Sequence, residues 1–352
     1  MTAGTDESVR HRVLLVGWDG VRDDTARGLQ LPALGGLAAA GRWWTTTLPD
    51  VDVAPTWTAV GWSTILTGVG PDEHGVMGND AELNRLHRYP EVLTTAYCER
   101  PTLNTYGAAS ALIFGTAHGP GPLFGPGVRT VDWVDRREYP GKFTETDLVI
   151  QEAAERQLRE HDPDLAFVYL GEADQIAHEI GTGDEYEAAI RRQDGRLGRL
   201  IAAVRGRPRF AQENWLVMVT TDHGHRDGGG HGGGTWQERQ SFVVAGLITD
   251  DPVAPPAAWA DHAENVDIAP TILSHLGIPL PSRFRGGVCA SHDRVLHRLH
   301  LDRGGAAVRG VPVVLADRRR APDAPEECRI PHPCPRRTRR LRLHPGVGVR
   351  VR

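Results

Sequence analysis

Four short apolar runs constrain what this 352-residue chain can fold into more than any other feature. RVLLVGWD (12–19), LAFVYLG (165–171), NWLVMVTTD (214–222) and QSFVVAG (240–246) have the length of strands and fall short of a helix buried on all sides. Longer amphipathic stretches come after and between them. TDLVIQEAAERQLREHD (146–162) places Val149, Ile150, Ala153, Ala154 and Leu158 on one face, DEYEAAIRRQDGRLGRLIAAVRG (184–206) reads as a second helix, and VDIAPTILSHLG (266–277) as a third that closes on Gly277. Such alternation predicts an α/β fold, a mostly parallel central sheet flanked by helices. The stretch from about 80 to 145 is less regular, rich in Pro, Gly, Tyr and Leu, and is expected to form a small cap or insertion beside the site. No internal repeat is present.

Composition narrows the class. At 40% hydrophobic and 24% charged residues the chain is of globular type, and 352 residues suffice for one large domain with a substantial core. No run approaches 18 apolar residues, and VLLVGWDG is too short to be a signal-peptide core, so neither a membrane partner nor export is expected and a cytoplasmic location is read. Cys98, Cys289, Cys328 and Cys334 lack framework spacing, which suits a reducing compartment. After Ala290 the chain carries fifteen Arg against six acidic residues, so the body before it is strongly acidic within a net charge of −5, which argues against a nucleic-acid polymer as ligand. A folded domain is therefore placed at 1–288, the part in which the catalytic motifs described below fall. The Arg/Pro-rich tail 289–352 has no helical or strand period, and its composition is what a GC-rich gene gives when read off-frame; it is expected to be disordered or off-frame.

The runs end in chemistry. Asp19 closes the first, Glu172 and Asp174 follow the second, and Asp222 with His223 follows the third, in a fold type whose ligands bind at the carboxyl ends of strands. Asp174 and His178 are four residues apart, so on a helical turn they project to one side and can share a cation. TTDHGHRDGGGHGGG (220–234) adds His225 and His231 on a backbone that glycine lets fold tightly. Any one of these has an ordinary alternative, a helix cap or a solvated imidazole. Together, three carboxylates and several neutral imidazoles suit two divalent ions.

One hydroxyl stands out in APTWTAVGWSTILTGVGPDEHG (54–75), where a helical pattern begins near Thr58. Thr58 could be an N-cap. A hydroxyl at a helix start also faces the N–H groups and dipole that favour an anion, and beside a metal it becomes a nucleophile.

In order and in sequence, WDG (18–20), PTWTAVGWSTILTGVGPDEHGV (55–76), GEADQIAH (171–178), TTDHGH (220–225), GGHGG (229–233) and VDIAPTILSHLGIP (266–279) resemble the alkaline phosphatase superfamily, in its type I phosphodiesterase and nucleotide pyrophosphatase branch. The resemblance spans roughly residues 12–288. It implies two divalent metal ions, zinc by family habit: one on Asp19, Thr58, Asp222 and His223, the other on Asp174, His178 and His231. Thr58 would be the nucleophile of a two-metal phosphohydrolase that cleaves a small phosphodiester or nucleotide-like pyrophosphate through a phosphothreonine. His225 is left to the loop or to support of the ligands, and His74 to structure. A small-molecule phosphomonoesterase is the alternative, and a non-catalytic metal or phosphate binder a second. Gly61 stands three residues after Thr58, where well-known members carry Asn, which would leave phosphate to the metals and backbone. The C-x-P-x-R setting that sulfatases need is missing. The sequence is silent on oligomeric state.

Overall fold

The computed structural model describes residues 9–80, 84–115, 122–250, 258–291 and 336–343. Its strands are β1 (Arg10–Trp18), β2 (Gly41–Thr47), β3 (Thr105–Ala109), β4 (Thr130–Trp133), β5 (Leu165–Leu170), β6 (Glu213–Thr220), β7 (Gln240–Ile248), the two-residue β8 (Ala258–Trp259) and β9 (Ala290–Ser291), and β10 (Arg337–Arg340). Eight of them form one sheet in the order β10-β4-β3-β5-β1-β6-β7-β2. Only β7 opposes the rest, pairing antiparallel with both β6 and β2. The three central strands expected from the sequence lie together: Trp18 is level with Leu170 of β5, and Gly17 with Thr220 of β6. That register delivers the acids that follow β1, β5 and β6 to one edge of the sheet.

Helices cover both faces because every residue of β5 and β6 is buried. They are α1 (Asp23–Gly28), α2 (Pro32–Ala39), α3 (Thr58–Thr67), α4 (Pro71–His74), α5 (Val92–Glu99), α6 (Leu112–Gly115), α7 (Phe143–Glu160), α8 (Glu172–Ile180), α9 (Asp184–Arg205) and α10 (Ile268–His275). One apolar layer joins α3, α5 and α10 to the side chains of Val13, Leu15, Phe167 and Met218; the other joins α2, α7 and α9 to Leu14, Val16, Val168 and Val217. Alternate residues of each strand thus feed opposite layers. Burying a Leu or Val in such a layer contributes about 1.5–3 kcal/mol. No helix of the described residues is long and apolar enough to cross a membrane.

Two sequence expectations need correction. The stretch read as a cap supplies β3 and β4, which pair parallel with each other and, through β3, with β5. TYGAA and TVDW are short and carry small or polar residues, so they lack the apolar run by which the central strands are recognised. The tail, expected to be without structure, contributes β10, parallel to β4, over 337–340. Arg339 reaches the wholly buried Asp132, with Nε at 2.5 Å and Nη2 at 2.6 Å from its oxygens, and Leu341 is fully buried. Residues 292–335 and 344–352, with Cys328, His332 and Cys334, lie outside the described residues. Cys289 is free and buried, whereas Cys98 is disulfide-bonded, so a reading of the cysteines as reduced thiols does not hold for Cys98.

Candidate active site

Asp19, the turn after β6 and the first turn of α8 converge where the strand register places them. Around His223, Nε2 lies 3.4 Å from Asp19 Oδ1, 3.3 Å from Asp222 Oδ2 and 3.4 Å from Thr58 Oγ1. Asp174 Oδ1 collects three imidazoles: His225 Nε2 at 2.9 Å, His178 Nε2 at 3.5 Å and His231 Nε2 at 3.6 Å. His178 and His231 bring their Nε2 atoms to 2.9 Å of each other. The structure brings all seven residues expected at the site into one neighbourhood, with His225 joining Asp174 and His223 lying within reach of both sets of buried donors. Glu172, the other acid after β5, turns away into an ion pair with Arg192 at 2.7 Å and Arg196 at 2.6 Å.

Neighbouring groups fix how these side chains are presented. His223 Nδ1 donates to the Gly224 carbonyl at 3.1 Å and His231 Nδ1 to the Thr56 carbonyl at 2.6 Å, which leaves each Nε2 with its lone pair facing the site. Asp19 Oδ2 accepts from the Tyr169 hydroxyl and from Trp62 Nε1 at 3.3 Å. Thr56 latches the segment ahead of Thr58 to the His231 loop: its hydroxyl accepts from Gly232 N at 2.8 Å and donates to the Gly233 carbonyl at 2.9 Å.

The donor set fits a pair of divalent cations. Asp19 Oδ1 and Asp222 Oδ2 are buried without a hydrogen-bond partner, which is costly unless something else satisfies them. Burial, with Asp174 nearby, pushes the Asp19 carboxyl up to about 8. Burial likewise raises Asp222 well above its ordinary range, with Asp19 and then Asp174 adding to the effect. Asp174 goes the other way: burial opposes its charge, but the His225 hydrogen bond and the His231 and His225 imidazoles hold it well below the carboxylate range. Burial pushes His231 down to about 4 and His223 further, so both are neutral at pH 7, the form in which an imidazole can donate to a cation. Dry carboxylates that resist ionisation beside neutral imidazoles are a donor set that favours positive charge. Two sets of buried donors within mutual reach, Asp19 with Asp222 and His223, and Asp174 with His223, His225 and His231, provide it.

Thr58 is not the cap that the sequence left open. Trp57 occupies the N-cap position in an extended conformation, Thr58 is the first helical residue, and no side chain caps α3. Gly61 has a steric reason: a Cβ there would lie 2.7 Å from both Cβ and the carbonyl oxygen of Asp222. A different amide comes to the helix start, since Asn79 Oδ1 accepts from Ala59 N at 2.9 Å, the residue next to Thr58. Asn79 went unnoticed because GVMGND is a turn, and turns have no periodicity to mark which polar residue folds back. His225 was also undervalued: it is wholly buried against Asp174. His74 is structural as expected, with Nδ1 accepting from Val76 N at 3.0 Å and Nε2 3.1 Å from the Thr64 hydroxyl. Beside the site a cavity of about 430 Å³ is bordered by Val60, Gly61, Thr64, Asp222, Arg239 and Asn265.

Known proteins resemble this chain in sequence and in fold. The chain is 28% identical over 156 residues to GPI ethanolamine phosphate transferase 2 of Aspergillus fumigatus, covering 41% of the chain and 20% of that protein, so it spans about a fifth of its curated relative's length. Among solved structures, a 2-O GAG sulfatase superposes with a TM-score of 0.56 at 15% identity, covering 79% of this chain and 73% of that one. A candidate sulfatase from Bacteroides fragilis gives 0.55 at 16% identity, covering 81% and 78%. At such identities the likeness is one of fold. The type I phosphodiesterase / nucleotide pyrophosphatase model matches residues 13–232, from the first apolar strand to the last of the converging histidines, and the chain belongs to that family.

Proposed function

We propose that the protein is a two-metal phosphohydrolase that cleaves a small phosphodiester or nucleotide-like pyrophosphate through a phosphothreonine at Thr58. The observation that carries this reading is the placement of the Thr58 hydroxyl, uncommitted to capping, at a helix start and 3.4 Å from His223 within a ring of buried metal-type donors. Asp19, Asp222 and His223 with Thr58 would hold one divalent ion, and Asp174, His178 and His231 the other; carboxylate oxygen and imidazole nitrogen donors suit zinc. When bound, the ions would supply Lewis acidity, favouring the Thr58 alkoxide and offsetting charge on the entering and leaving oxygens.

The remaining chemistry belongs to the chain. Thr58 Oγ1 attacks phosphorus in line, forming the Thr–O–P bond as the ester or anhydride P–O bond breaks; water then cleaves the Thr–O–P bond and regenerates the hydroxyl. The α3 N-terminus offers its N–H groups to the phosphoryl oxygens, and Asn79 braces that helix start by accepting from Ala59 N. Thr56, Tyr169 and Trp62 keep His231 and Asp19 aimed. His225 holds Asp174.

One observation favours the monoesterase alternative. Arg136, just after β4, acts electrostatically on Asp19 and Tyr169, yet its guanidinium has no ion pair or hydrogen bond among the described residues and could meet a second phosphate charge. Turnover of bis(4-nitrophenyl) phosphate against 4-nitrophenyl phosphate by the zinc-loaded protein separates the two. A diester preference, with a phosphorylated Thr58 peptide after acid quench, supports the proposal; a monoester preference overturns its substrate class, and turnover without modified Thr58 its mechanism.

A further inference from the structure

Of the two exposed tryptophans among the described residues, Trp57 sits directly before Thr58 and Trp236 lies on the loop that follows His231. Trp57 is 37% exposed although Thr56 and His231, which flank it, are buried. Its ring meets His231 edge-on, with centroids 5.4 Å apart and planes at 68°. Beneath it runs the backbone of Gly232, where φ is +104° and an added Cβ would fall 2.6 Å from the indole. Glycine at 232 therefore does two things: it permits the turn, and it leaves a flat floor under the ring. The indole is held from below and from the side, with surface left to solvent at the mouth of the site.

Position decides what that surface meets. A substituent directed from a phosphoryl group at Thr58 toward His231 would pass Trp57, which precedes the one and touches the other. On the far side of the His231 loop, Trp236 is 62% exposed, with the Arg22 guanidinium 5.7 Å from its ring.

We propose that Trp57 is a specificity-determining residue, a stacking platform for a planar aromatic group carried on the leaving oxygen of the substrate. The proposal rests on the phosphohydrolase reading and narrows its substrate class. Its test uses unreactive probes, so that it does not depend on turnover. Phenylphosphonate and methylphosphonate are titrated calorimetrically into the zinc-loaded parent, Trp57→Ala and Trp57→Phe, and kcat and KM are measured with bis(4-nitrophenyl) phosphate. In the parent the phenyl probe should bind about tenfold more tightly than the methyl probe, an advantage of the size that aromatic pairs give. Trp57→Ala should erase that advantage and raise KM for bis(4-nitrophenyl) phosphate more than it lowers kcat, and Trp57→Phe should keep most of it. An equal phenyl preference in parent and Trp57→Ala overturns the platform, as does a fall in kcat with the preference intact, which would make Trp57 a support for Thr58. If both probes bind with the expected ratio and no ester is turned over, the platform stands and the phosphohydrolase reading fails.

Discussion

Replacing Arg339 by Met should cost the protein about 3–5 kcal/mol, although the residue belongs to a tail whose composition reads as unstructured. Asp132 is wholly buried and accepts from three donors, the Tyr106 hydroxyl at 2.9 Å and Arg339 at 2.5 and 2.6 Å. The Arg339 side chain is only 22% exposed and also donates to Gln157 Oε1 at 3.1 Å. Without the guanidinium, Asp132 keeps one neutral donor and an uncompensated buried charge, the situation in which breaking a pair costs most. Removing the charge as well should recover most of the loss, because replacing both partners is far milder than removing one. Urea unfolding of the parent, Arg339→Met, and Arg339→Met with Asp132→Asn measures both quantities; Arg337→Met, exposed at the start of the same strand, is the control and should change stability by less than about 0.5 kcal/mol. A chain ending before residue 336 should behave like Arg339→Met. If Arg339→Met lies within about 1 kcal/mol of the parent, β10 does not belong to the sheet and the tail is dispensable.

Three further outcomes follow from the site. Gly61→Asn, which restores the residue of well-known family members, should lower activity, because its Cβ would force Asp222 aside; activity equal to or above the parent contradicts that contact. Thr56→Val removes two hydrogen bonds between the nucleophile segment and the His231 loop, worth about 0.5–1.5 kcal/mol each, and should weaken zinc retention against a chelator while Thr56→Ser retains it; equal retention in the Val variant argues against the latch. The Asp19 carboxyl titrates near 8 in the metal-free fold against an ordinary 3.8, so the folded state holds a proton that the unfolded chain has lost. That contribution is present below about pH 4 and disappears as pH rises through about 8. The gap in melting temperature between zinc-loaded and stripped protein should therefore widen from pH 6 to pH 9, and a constant gap would count against buried, cation-seeking carboxylates.

How much of this was legible in the sequence depended on periodicity and on chemistry at the ends of runs. β1, β5 and β6 are apolar on both faces, so they could be read, and Asp19, Asp174 and Asp222 followed from where they stop. β3, β4 and β10 could not be read, because TYGAA, TVDW and RTRR become strands only by pairing with neighbours already in the sheet. For RTRR the stabilising partner, Asp132, lies some two hundred residues earlier, and no local pattern announces it. The ligand set carried a spacing and a family likeness. Asn79, Thr56 and His225 act through contacts between loops, which only the assembled fold brings together.

The account's central claim, that Thr58 is the nucleophile, is tested most directly by the turnover of Thr58→Ala with its zinc content matched to the parent. The hydroxyl does not cap α3, so its loss should leave the fold intact and fall on chemistry. kcat with bis(4-nitrophenyl) phosphate should drop about a thousandfold or more, as expected when the group that forms the covalent intermediate is gone while substrate still binds. A rate within about tenfold of the parent, a change of only about 1.4 kcal/mol in the barrier, would place the nucleophile elsewhere and contradict the mechanism.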